Sequence, residues 1–130
     1  AYECRQAPVV EAPYMLCRDG RYFLTYSGSH FQSPEYCVAV AVSDSPLGEF
    51  RRCPENPILI GNDKVSGCGH HCIVRTPAGG LYLLYHTHAV PGRQVHPRQL
   101  ALDRLYWADG CLRTSGPPTT PQPVPSVSLD

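Results

Sequence analysis

Glu11 stands at the mouth of an apolar stretch, Val9-Val10-Glu11-Ala12-Pro13-Tyr14, and Pro13 stiffens the backbone just behind it. A carboxyl group in that setting is either a surface group or one held at the rim of a cavity, where it could give or take a proton. A second set of reactive types follows in Cys68, His70, His71 and Cys72, with His86, His88 and His96 downstream. Cysteine and histidine can bind zinc, but this spacing fits no common structural zinc pattern. Adjacent strand residues also point to opposite faces. His86 and His88 share a face and read as packed strand histidines. Arg93, in Pro91-Gly92-Arg93, sits in a loop that could be solvated or could reach toward a ligand.

The elements that must position these residues repeat. A shift of 59 positions, from 11 to 70, lays His70 on Glu11, Gly79 on Gly20, and Tyr82-Leu83-Leu84-Tyr85-His86 on Phe23-Leu24-Thr25-Tyr26-Ser27. Strand, tight turn and strand repeated at this length is the signature of stacked β-units such as propeller blades. Glu11 and His70 are thus expected at equivalent places on neighbouring inner strands, facing one central cavity. In the first unit the strands fall at 9–18, 21–27, 36–43 and 49–52. In the second they fall at 70–75, 81–88, 98–107 and about 111–113. The Asp-Gly pairs mark hairpin turns.

The chain has 130 residues, enough for one modest domain, with 14 Pro, 11 Gly and no helical run. Lys plus Arg equals Asp plus Glu at 11 each, which gives no basic patch for nucleic acid. No apolar run is long enough for a membrane span. Seven cysteines are an odd, scattered set, read as mostly free and buried thiols, and a cytoplasmic location is slightly favoured on that ground. Residues 116–130 are too rich in proline to pair as a central strand and form an extended tail.

In this order and spacing, several short motifs resemble glycoside hydrolase family 43. They are Val10-Glu11-Ala12-Pro13-Tyr14, Gly20 to Ser27, Ala41 to Gly48, Asn56-Pro57-Ile58-Leu59, Gly67 to His71, Tyr85-His86-Thr87-His88 and Asp103 to Trp107 ahead of Asp109-Gly110. The resemblance implies an all-β chain, a β-propeller of the five-bladed type, with residues 1–115 as its two C-terminal four-stranded blades. It implies inverting hydrolysis of β-xylosides or α-L-arabinofuranosides. One protonated carboxyl gives its proton to the leaving oxygen, and a carboxylate roughly 6.5–9.5 Å away activates water. Glu11 maps onto the family's general acid. His70 maps onto the histidine that lines the central pocket, near a water or, in some members, a structural calcium. Arg93 maps onto an arginine that reaches the sugar, and Tyr14 is expected on the rim beside it.

Two departures stand out. Cys68 replaces a usual proline and Cys72 a usual small residue. The family's general base and its pKa-tuning aspartate come from earlier blades, and Asp19, Asp44, Asp63, Asp109, Glu49 and Glu55 do not fill those roles. The chain is therefore expected to need further N-terminal blades, or another copy of itself, over an open face. The rival expectation is a non-catalytic carbohydrate-binding or assembly module made of a partial propeller.

Overall fold

Period-two patterning and Asp-Gly turns produce eight strands in the computed structural model, which describes residues 2–4, 8–92 and 97–123. The first sheet is a meander of β1 (Val10–Arg18), β2 (Arg21–Gly28), β3 (Cys37–Ser43) and β4 (Arg51–Arg52). The second repeats it with β5 (Gly69–Arg75), β6 (Leu81–His88), β7 (Arg98–Ala108) and β8 (Cys111–Thr114). All pairings are antiparallel. Asp19-Gly20 and Asp109-Gly110 both take positive φ, 51° and 75° in the first pair and 51° and 73° in the second. Two such residues in a row make the turn whose twist matches a hairpin. Among the described residues the one helical segment is a single 3₁₀ turn, Tyr2–Cys4.

Alternation along β3 sorts the core. Val38 and Val40 point into the space between the sheets, where they join Phe23, Leu59, Ile73, Leu83, Tyr85 and Leu112. Ala39 and Ala41 point the other way, to Tyr26, with Phe50 and Tyr2 packed alongside. That outer face is incompletely covered. A groove of about 520 Å³ runs along it between Val10, Glu11, Leu24, Tyr26, Phe50 and Arg52. On the far side of the second sheet, Leu100 is 79% exposed. Beyond β8 the tail carries no strand through residue 123, and Pro118–Gln122 border a second cavity against Gln99–Leu102 of β7.

The cysteines differ from expectation. Cys53 and Cys111 form a buried disulfide that ties the segment after β4 to the start of β8. Cys37 and Cys68 are buried, whereas Cys17 and Cys72 are exposed. The sheets pack closely enough to bring two distant thiols together.

The repeat also differs, by one residue. Glu11 pairs with Ser27 and Gly69 pairs with His86, so the true counterpart of Glu11 is Gly69. Both inner strands then bulge, and Ala12 and His70 occupy the same bulge position with the same φ of 51°. The hairpin partners do keep the 59-residue shift, since Ser27 matches His86. The inner strands slip because five residues, 76–80, join the Arg75–Leu81 pair where four, 18–21, join the equivalent Cys17–Tyr22 pair. Each bulge bends its strand end and re-aims the side chains beside it.

His71 fastens the sheets together. Thr25 donates its hydroxyl proton to the Tyr14 carbonyl (3.1 Å), so His71 Nε2 must donate to Thr25 Oγ1 (2.8 Å). His71 is 5% exposed, and burial, with the neighbouring His70 adding to it, lowers its pKa from 6.5 to about 4. The unfolded chain therefore binds this proton more readily between those values. Stability should fall as pH drops from about 6.5 to 4, by up to about 3 kcal/mol from this group. Urea titrations across that range should show a shallower loss for His71→Gln than for the unmodified chain. Parallel curves would contradict the assignment.

Candidate active site

The starts of β1 and β5, the ends of β2 and β6, and the loops that follow them all lie at one end of the two sheets. Glu11 sits there, half-buried, at the last paired position before the first bulge. Its Oε1 accepts a hydrogen bond from the Tyr36 hydroxyl at 2.6 Å. Tyr36 ends the β2–β3 loop and is 0% exposed. Its ring stacks on His86 with centroids 5.7 Å apart and planes 18° apart, and His86 stacks on His70 at 6.2 Å and 18°. The ring of Tyr36 fits only because residue 69 is glycine: a Cβ there would come within 2.1 Å of it. The backbone N–H of the exposed His70 donates to Ser27 Oγ at 2.9 Å, and Ser27 is the residue paired with Glu11. Glu11 and His70 are thus brought to one place, joined through Tyr36, Ser27 and His86.

Burial, reinforced by the bond to Glu11, pushes the Tyr36 phenol well above its ordinary range, so it remains a donor. His86 moves the other way, lowered from 6.5 to about 4 by burial and then by the positive charge of Arg98. A neutral ring results. Its Nδ1 is buried and has no hydrogen-bond partner among the described residues, and the same holds for Arg98 Nε. The Arg98 guanidinium lies 4.8 Å over the Phe31 ring, which stacks on His30 at 4.5 Å. His88 is a packed strand histidine, as expected. It donates from Nε2 to the Phe31 carbonyl (3.1 Å) and accepts from Ser66 at Nδ1 (3.1 Å).

Of the residues singled out in the sequence, Tyr14 lies beyond the bulge and is 36% exposed, while Tyr36 holds the place beside Glu11. Arg93 lies outside the described residues, as does His96. Tyr36, Arg98 and the stacked role of His86 went unforeseen. Tyr36 and Arg98 are counterparts: Cys37 pairs with Gly28 as Gln99 pairs with Thr87, and each of the two precedes its paired residue. The repeat carried through the third strand would have matched them, but the intervening loops differ in length. Among the described residues no group of three or more His, Cys, Asp or Glu is placed to hold a metal ion.

The profile of glycosyl hydrolases family 43 matches residues 1–112. A β-D-galactofuranosidase of Aspergillus niger is 36% identical over 99 residues, which is 75% of this chain and 29% of that protein. An extracellular exo-α-(1→5)-L-arabinofuranosidase of Streptomyces chartreusis is 37% identical over 93 residues, 65% of this chain and 28% of that one. The chain thus spans under a third of the length of these relatives. The crystal structure of a thermostable family-43 glycoside hydrolase superposes with a TM-score of 0.87 at 36% identity, over 96% of this chain and 42% of its own. An endo-1,4-β-xylanase of Bacteroides thetaiotaomicron superposes at 0.83 and 29% identity, over 90% of this chain and 41% of its own. The sheets are blades of the five-bladed propeller type, and the chain belongs to glycosyl hydrolases family 43.

Proposed function

We propose that the chain forms two blades of an inverting glycosidase that acts on α-L-arabinofuranosides or β-xylosides, with Glu11 as general acid. The observation that carries this reading is the Glu11 carboxyl, fixed by Tyr36 at the same end of the sheets as His70, His86 and Arg98. A carboxyl held rigidly by a buried phenol, with the exposed His70 nearby, suits proton delivery to a glycosidic oxygen. We assign the sugar contacts to His70, Arg93 and Arg98. The names of the relatives support a carbohydrate substrate. Coverage of about two fifths of the matched propellers agrees with two blades of five.

The general base would come from blades outside these residues, and those blades, or a second copy of the chain, would supply the remaining walls. The groove beside Glu11 and the exposed Leu100 are the faces such blades would cover. Acid catalysis without a base forgoes about 10²–10⁴-fold. The 130-residue chain alone should therefore hydrolyse aryl α-L-arabinofuranosides and β-xylosides negligibly. A protein with all its blades should turn over at least one of them. If that complete protein binds arabino- and xylo-oligosaccharides but cleaves none, the chain belongs to a non-catalytic binding module instead.

A further inference from the structure

We infer that Tyr36 is a positioning residue that decides which oxygen of Glu11 carries the transferable proton, by occupying Oε1 and leaving the proton to Oε2. The inference rests on the reading of Glu11 as general acid. A phenol donates and a carboxyl oxygen accepts, and 2.6 Å is the short separation of a charge-assisted bond. This donor is unusually fixed. Its ring is wholly buried, lies flat against His86 and presses on Gly69, and its backbone N–H donates to the Ser33 carbonyl at 3.1 Å. A rigid donor on Oε1 sets the carboxyl plane. A proton on that oxygen would leave a poorer acceptor and weaken the bond from Tyr36, so the protonated acid holds it on Oε2.

During reaction the Oε2 proton passes to the glycosidic oxygen. The bond from the anomeric carbon to that oxygen breaks with its electrons remaining on oxygen, and the leaving group departs as an alcohol. Water, deprotonated by the general base, forms the new bond at the anomeric carbon. Glu11 is left ionised, and the Tyr36 O–H steadies the charge on Oε1. The phenol itself neither gains nor loses a proton.

Tyr36→Phe in the protein with all its blades tests this, because the ring still fills the space against Gly69 and His86. On an arabino- or xylo-oligosaccharide, kcat should fall about ten-fold or more with KM unchanged. A dinitrophenyl glycoside, whose leaving group needs no proton, should keep its rate and so report an intact fold. Equal losses on both substrates, a change in KM alone, or full retention of activity would overturn the inference. Glu11→Gln measured alongside separates the two claims. If it too harms both substrates equally, the general-acid reading fails. If it spares the dinitrophenyl glycoside while Tyr36→Phe does not, only the role of Tyr36 fails.

Discussion

Replacing Cys53 and Cys111 together by alanine should lower folding stability by about 4 kcal/mol, since the bond closes a loop with a sequence separation of 58 residues. The bond removes much of the freedom of the unfolded chain, because it joins the segment after β4 to the start of β8 and so ties blade to blade. Both sulfurs lie in the apolar core between the sheets, where each alanine would also leave a small void. Urea denaturation of the double variant, and of the unmodified protein under reducing conditions, should both show a lowered midpoint, the double variant's being the lower. A midpoint unchanged by either treatment would mean that the two thiols do not pair in solution.

Glu11→Gln should cut turnover of oligosaccharides by about 10²–10⁴-fold in a protein with all its blades. Glutamine is close to glutamate in shape, and its amide oxygen can still accept from Tyr36. The substitution therefore removes the proton and little else. The relatives' names leave the sugar open between furanoside and xyloside, but the loss should appear on any substrate whose leaving oxygen needs protonation.

Much of the fold was legible because it is local. Asp19-Gly20 and Asp109-Gly110 dictate hairpins, and the unbroken apolar run from Cys37 to Val42 can only be a strand buried between layers. Glu11 stood out only through its motif, since a lone carboxylate beside Pro13 reads by pattern alone as an exposed strand-end group. What stayed hidden depends on packing between elements. One extra residue in the turn after Arg75 displaces the inner-strand match, so that the counterpart of Glu11 is Gly69 rather than His70. That glycine in turn admits the Tyr36 ring, which reads in sequence as the first residue of a strand. Loops of unequal length hide the correspondence of Tyr36 and Arg98. Nothing along the chain pairs Cys53 with Cys111; the stacking of the two sheets does.

The most direct measurement is the dependence of kcat/KM on leaving-group acidity across a series of aryl glycosides, with and without Glu11→Gln. If Glu11 delivers the proton, the unmodified enzyme should show a shallow dependence. The variant should show a steep one, nearly matching the enzyme on the most acidic leaving groups and falling far behind on the least. Two parallel lines, displaced by a constant factor, would contradict Glu11 as the general acid.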